Sequence, residues 1–121
     1  MICAGGTNFP DKPMLEGGAK TWTDRIFTLS PGENGWTEAG TLPAPYAYGA
    51  SASTREGLLC IGGCGKEGHR KDVYLLSTAD GAVTVTPFPP LPIALAYTAA
   101  AVLGGKVYLT GGCERPGEQD C

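Results

Sequence analysis

The sequence predicts an all-β repeat protein, and three observations support this prediction. An apolar segment runs into a glycine pair three times, at Gly5-Gly6, Gly62-Gly63 and Gly111-Gly112. The second glycine stands at positions 6, 63 and 112, so it recurs after 57 and then 49 residues. The segments around the pairs are rich in β-branched and aromatic residues, which is typical of strands. Self-similarity of this kind indicates that one structural unit is repeated along the chain.

The length of the repeat predicts which unit it is. A period of about 50 residues is typical of kelch repeats, each of which forms one four-stranded blade of a β-propeller. The chain has 121 residues, enough for about two blades. We divide it into units at about residues 1–57 and 58–105, with the start of a third unit at 106–121. Because fewer than about three repeats rarely support themselves, we expect the missing blades to come from a longer chain or from self-association, for example as a trimer.

Each element of the first unit has a local signal. Residues 1–4 are expected to form a strand that runs into the first glycine pair, and residues 24–29 alternate as strands do. A turn at residues 30–35 leads to a short strand around Trp36. A proline-containing crossover at residues 40–45 then carries the chain to residues 46–51, which we expect to begin the innermost strand of the next blade.

The second unit repeats this order, with strands expected at residues 58–63, 72–76 and 83–88 and a crossover at 89–92. Residues 94–103 are rich in alanine and favour a helix on propensity alone. We nevertheless predict a strand in their latter part, because Gly104-Gly105 supplies a hairpin turn into residues 106–110.

Composition argues against several classes of function. The net charge is -3 with 9 Lys and Arg residues, and no basic stripe typical of a nucleic-acid surface is present; we read residues 69–71 as a solvated loop. No apolar run is long enough to span a membrane. His69 is the one histidine, so we expect no metal site. The five cysteines favour buried thiols in a reducing compartment, cytoplasmic for the sequence as it stands and periplasmic if a longer parent carries a signal.

The candidate binding residues lie on one face of the predicted propeller. The loop after each glycine pair and the crossover between blades emerge on the same face, where function is expected. The first loop offers both charge signs and an amide, with Phe9 and Trp22 nearby as stacking platforms. The candidate substrate-binding residues are Asn8, Asp11, Lys12, Glu16, Lys20 and Tyr48.

The same loop carries a family resemblance. The residues that carry it resemble the N-acetylneuraminate epimerase (sialic acid mutarotase) family; they are 4–13 (AGGTNFPDKP), 16–18, 23–24, 26–27, 47–51 and 58–63. The chain looks closest to a cyclically permuted branch, with the junction near residues 87–90. The resemblance implies a six-bladed kelch propeller that interconverts the α and β anomers of N-acetylneuraminate, a small-molecule sugar, without a cofactor.

The resemblance carries less information about catalytic residues. In the family, the acid/base Glu and its Arg partner follow a Gly-rich strand of a blade that this chain lacks. Glu114 and Arg115 occupy a similar place in their own repeat, so they are the catalytic candidates that this chain offers. Tyr46 stands where the epimerases tend to carry a basic residue. The alternative function is a non-enzymatic propeller module that binds a protein or a glycan through the same loops.

Overall fold

The computed structural model describes residues 1–117, and this part of the chain is all-β apart from one 3-10 turn at Met14–Glu16. The strands are β1 (Ile2–Ala4), β2 (Thr7–Asn8), β3 (Thr21–Trp22), β4 (Arg25–Thr28), β5 (Thr37–Thr41), β6 (Ala50–Ser53), β7 (Leu58–Ile61), β8 (Cys64–Gly65), β9 (Gly68–His69), β10 (Val73–Ala79), β11 (Ala82–Phe88), β12 (Ala99–Leu103) and β13 (Lys106–Thr110).

The longer strands form three successive antiparallel sheets. The first has the order β1-β4-β5, the second β11-β10-β7-β6, and the third pairs β12 with β13. Only the second sheet has four strands within the described residues, and these residues do not close a ring. The predicted all-β class is confirmed, and the sheets are consistent with a fragment of a kelch-type propeller.

The predicted strands are found, with small shifts of their bounds. The alanine-rich segment forms β12, which pairs with β13 from Ala99↔Thr110 to Leu103↔Lys106. The strand expected around Trp36 begins one residue after it, and the strand expected from residue 46 begins at Ala50. In between, residues 46–49 remain part of the crossover, where Ala47 forms an isolated bridge with Cys64.

The core lies between the sheets. One buried cluster joins the first sheet to the second and contains Ile26, Leu42, Tyr46, Cys60, Tyr74 and Leu76. Another joins the second sheet to the third, with Leu59 and Ile61 packed against Ala100, Val107 and Leu109. Tyr46 is therefore a core residue, and its side chain packs between the first and second sheets.

The glycine pairs receive the crossover of the following sheet. The backbone N–H of Gly6 donates to the carbonyl of Tyr46 at 2.9 Å, and that of Gly63 donates to the carbonyl of Leu95 at 2.7 Å. Both first glycines, Gly5 and Gly62, have positive φ angles, and a Cβ on either would collide with the same carbonyl oxygen. The pair recurs because this junction between sheets recurs.

The cysteines differ in part from the expected set of buried thiols. Cys60 and Cys64 are buried and free, as predicted, whereas Cys3 is exposed. Cys113 is disulfide-bonded, so the prediction of a free thiol is wrong there, and Cys121 lies outside the described residues. No helix within residues 1–117 is long and apolar enough to cross a membrane.

Candidate functional site

Four segments meet on the face that carries the loops. The hairpin β2–β3 comes from the first loop, with Thr7 opposite Trp22. The hairpin β8–β9 comes from the second loop, with Cys64 opposite His69. The other two segments are the crossovers that carry Tyr48 and Tyr97. They are joined to each other, because the backbone N–H of Tyr97 donates to the carbonyl of Tyr48 at 2.8 Å.

An aromatic arc runs across this face and consists of Trp22, Tyr48, Tyr97 and His69. The ring centroids of Trp22 and Tyr48 lie 5.9 Å apart, edge to face. Those of Tyr48 and Tyr97 lie 5.0 Å apart at an interplanar angle of 31°. His69 closes the arc, edge to face with Tyr97 at 5.9 Å. Each separation is within the range of favourable aromatic pairs, so residues from four segments form one surface.

Lys20 places a positive charge at the Trp22 end of the aromatic arc. Its Nζ donates to the Tyr48 Oη at 3.1 Å and lies 5.4 Å from the Trp22 centroid and 5.1 Å from the Tyr48 centroid. Phe9 adds a third ring at 6.0 Å. The hydrogen bond to Tyr48 raises the pKa of Lys20. The ammonium is therefore held charged by ring faces and a phenol oxygen.

The Tyr48 hydroxyl lies between two polar side chains. Besides the bond from Lys20, its Oη is 3.2 Å from the Thr7 Oγ1. The hydrogen bonds with Thr7 and Lys20 lower the pKa of Tyr48, because both stabilise the phenolate.

The backbone of both crossover tyrosines is strained. Tyr48 has φ +62° and Tyr97 has φ +61°, in the left-handed region that bulky residues rarely adopt. They stand 49 residues apart, as Gly63 and Gly112 do, so the conformation recurs with the repeat. Strain of this kind amounts to about 1–3 kcal/mol per residue and clusters at functional sites.

His69 fixes the far end of the aromatic arc. Its Nδ1–H donates to the carbonyl of Cys113 at 2.9 Å, which leaves Nε2 as the acceptor of the neutral ring. Nε2 is buried and has no hydrogen-bond partner among residues 1–117. Within the same residues no group of three or more His, Cys, Asp or Glu side chains is arranged to hold a metal ion.

An open cleft of about 840 Å³ adjoins the aromatic arc at both of its ends, Trp22 and His69. It is lined by Lys20, Trp22, Pro45 and the segment of residues 65–72. Residues 69–71 were read from the sequence as a solvated loop, but their side chains form hydrogen bonds within the protein. The Arg70 Nε donates to the Asp72 Oδ2 at 2.6 Å, and the Lys71 Nζ donates to the carbonyl of Pro92 at 2.8 Å.

The structure brings together two of the six predicted binding residues, Lys20 and Tyr48. Asn8 accepts a hydrogen bond from the Thr21 hydroxyl within the first hairpin. Asp11, Lys12 and Glu16 are exposed in the same loop around the 3-10 turn. Glu114 and Arg115, the catalytic candidates, are exposed beyond Cys113.

Three residues of the site were not predicted as binding residues: Thr7, Tyr97 and His69. Tyr97 carries a signal in the sequence, since it follows Tyr48 at the interval of the repeat. Thr7 and His69 carry none, because their roles depend on contacts with residues 41 and 44 positions away.

Comparison with curated proteins supports the resemblance seen in the sequence. N-acetylneuraminate epimerase of Brucella suis is 34% identical over 95 residues, which cover 70% of this chain and 24% of that protein. The chain is homologous to part of the N-acetylneuraminate epimerases. The epimerase of Vibrio cholerae is 34% identical over 96 residues, again 70% of this chain and 24% of the relative. That of Yersinia enterocolitica is 31% identical over 118 residues, 90% of this chain and 24% of the relative.

The chain thus spans about a quarter of the length of these curated epimerases. No family model matches it. The division into repeat units and the cyclic permutation remain predictions.

Proposed function

We propose that the natural protein containing these residues is an N-acetylneuraminate epimerase that interconverts the anomers of this sugar without a cofactor. In this proposal the chain supplies part of a six-bladed kelch propeller, and the face around Lys20 and Tyr48 binds the substrate. The observation that carries the proposal is the Lys20 ammonium held 3.1 Å from a phenol hydroxyl on an aromatic surface. The names of the epimerase relatives support the choice of sugar.

The chemistry of the sugar matches this pair of side chains. In N-acetylneuraminate the carboxylate and the anomeric hydroxyl are attached to the same carbon. The ammonium of Lys20 has three N–H donors, and one of them is used by Tyr48. The others are free to bind the carboxylate, and a carboxylate bound there brings the anomeric hydroxyl close to the Tyr48 Oη.

The other residues of this face suit the ring, the hydroxyls and the N-acetyl group of the sugar. The tilted rings of Tyr48 and Tyr97 offer an apolar floor for the C–H face of the pyranose ring. Asn8, Asp11, Lys12 and Glu16 are proposed to line the rim of the site, where hydroxyls and the N-acetyl group need hydrogen-bond partners. Glu114 and Arg115 remain proposed catalytic candidates, and self-association remains the alternative source of the missing blades.

The function is tested by following anomer exchange by NMR in the natural protein that contains these residues. Freshly released α-N-acetylneuraminate is expected to equilibrate faster with the protein than without it. Lys20→Met removes the cation for the carboxylate, and a charge-assisted hydrogen bond contributes about 1.5–3 kcal/mol. We therefore expect KM to rise about 10- to 100-fold.

Lys106→Met is the matched control, because Lys106 is an exposed lysine at the start of β13 and is predicted to leave exchange unchanged. An exchange rate that the wild-type protein does not alter would contradict the enzymatic proposal and favour the binding module. If Lys20→Met and Lys106→Met change KM equally, the role of Lys20 is contradicted, but the enzymatic proposal is not.

A further inference from the structure

We propose that Tyr48 is a catalytic residue that takes the proton from the anomeric hydroxyl and returns it, with Lys20 and Thr7 as its positioning residues. This inference rests on the proposed function and names the group that moves the proton within the same site. It differs from the prediction based on Glu114 and Arg115, which lie beyond Cys113 in a different segment.

The geometry around Tyr48 is that of an acid/base group. The Lys20 Nζ and the Thr7 Oγ1 lie 3.1 and 3.2 Å from the phenol oxygen. Lys20 acts only as a donor, so it stabilises the phenolate that remains when the proton leaves. Thr7 accepts from the phenol and donates to the phenolate, since a hydroxyl can do either. The oxygen therefore keeps two partners in both protonation states.

The backbone provides an independent observation. Tyr48 is held at φ +62° on a crossover whose backbone is tied on both sides. Its neighbour Ala47 exchanges two hydrogen bonds with Cys64, at 2.9 and 2.7 Å, and the carbonyl of Tyr48 itself accepts from the backbone N–H of Tyr97 at 2.8 Å. A strained residue that its surroundings hold this firmly is expected where a side chain must be aimed accurately.

The proposed step conserves atoms and charge. The Tyr48 phenolate takes the proton of the anomeric hydroxyl, and the oxygen left behind forms the carbonyl of the open-chain sugar. The bond between the anomeric carbon and the ring oxygen breaks with its electron pair going to the ring oxygen, which is protonated by water. After rotation of the open chain, that ring hydroxyl returns its proton to the hydroxide that the water left, and its oxygen adds to the other face of the carbonyl. Tyr48 gives its proton back to the carbonyl oxygen, which becomes the new anomeric hydroxyl.

The charged groups near Tyr48 fix the expected pH dependence. The hydrogen bond with Thr7 lowers the pKa of Tyr48 most, and the hydrogen bond and charge of Lys20 lower it further. Partial burial and the Cys64 thiol, once ionised, raise it. Tyr97 stacks on the ring, and His69 contacts Tyr97 on its far side. The rate is therefore expected to rise with pH as the phenolate population of Tyr48 grows, and to level off above the lowered pKa.

The experiment combines a titration with kinetics on the natural protein. In protein labelled with ¹³C at tyrosine Cζ, the Tyr48 signal is assigned by its loss in Tyr48→Phe. Lys20→Met and Thr7→Val each remove one partner of the phenolate, so both are expected to raise the Tyr48 midpoint. In the exchange assay, Tyr48→Phe is expected to lower kcat by about 10²-fold or more with little change in KM. Tyr108→Phe, at an exposed tyrosine of β13, serves as the control that keeps kcat.

The outcomes separate this inference from the function on which it rests. Wild-type protein that leaves exchange unchanged overturns both. Wild-type protein that accelerates exchange, with full kcat retained in Tyr48→Phe, overturns the role of Tyr48 and leaves the epimerase proposal standing. A Tyr48 midpoint that neither Lys20→Met nor Thr7→Val shifts overturns the positioning roles.

Discussion

Gly62→Ala is expected to destabilise the protein by about 2–4 kcal/mol. Gly62 has φ +61°, and a Cβ there would collide with the carbonyl oxygen of Leu95. Holding an alanine in the left-handed region disfavours the folded state by about 1–2 kcal/mol, and overpacking adds about 1–3 kcal/mol. The collision also displaces the carbonyl to which the Gly63 N–H donates at 2.7 Å, so the junction between two sheets is weakened directly.

Gly104→Ala is the matched control for this substitution. Gly104 has φ +57° in the hairpin turn between β12 and β13, and no described atom outside its chain neighbours lies within 4 Å of a Cβ built there. Gly104→Ala is expected to lower the free energy of unfolding by the backbone contribution alone, about 1–2 kcal/mol. Urea unfolding of both variants measures the difference. If both variants lose the same free energy of unfolding, the glycine pair is not required by the close approach of the crossover, and this explanation is contradicted.

Leu76→Ala is expected to destabilise the protein by about 2–5 kcal/mol. Leu76 is fully buried on β10 and belongs to the cluster between the first and second sheets. Truncation removes its apolar contacts and leaves a cavity that the surrounding strands fill only in part. The loss is expected to lower the midpoint of urea unfolding without changing the site directly.

Leu15→Ala removes the same atoms from a side chain that is 94% exposed in the 3-10 turn. We expect it to change the free energy of unfolding by less than about 0.5 kcal/mol. A similar loss in the two variants would mean that the packing of the sheets on each other contributes little to stability.

Much of the fold was predictable because its signals are local. Alternating polarity identified β4, and the repeat of the same order of segments identified β7 and β10. Gly104-Gly105 identified the hairpin that overrides the helical propensity of the alanine-rich segment. The hairpins β2–β3 and β8–β9 were not predicted. Their strands are two residues long, too short for any periodic pattern to show.

The site was predictable as a list of residues but not as an arrangement. Lys20 and Tyr48 were both chosen from the sequence, yet their hydrogen bond joins positions 28 residues apart. The hydrogen bond between the His69 side chain and the Cys113 carbonyl joins positions 44 residues apart. Such contacts follow from the stacking of neighbouring sheets, which the sequence encodes only through the repeat, so the equivalence of Tyr48 and Tyr97 was the available signal.

The sugar site on this face is tested most directly by a chemical-shift titration of the protein with N-acetylneuraminate, read at the indole N–H groups of Trp22 and Trp36. Trp22 belongs to the aromatic arc, whereas Trp36 is half exposed just before β5. We predict a saturable shift of the Trp22 signal together with the amides of Lys20, Tyr48 and Tyr97, and no shift of Trp36. A saturable shift of Trp36 with Trp22 unmoved, or no shift of either signal, would contradict a sugar site on this face.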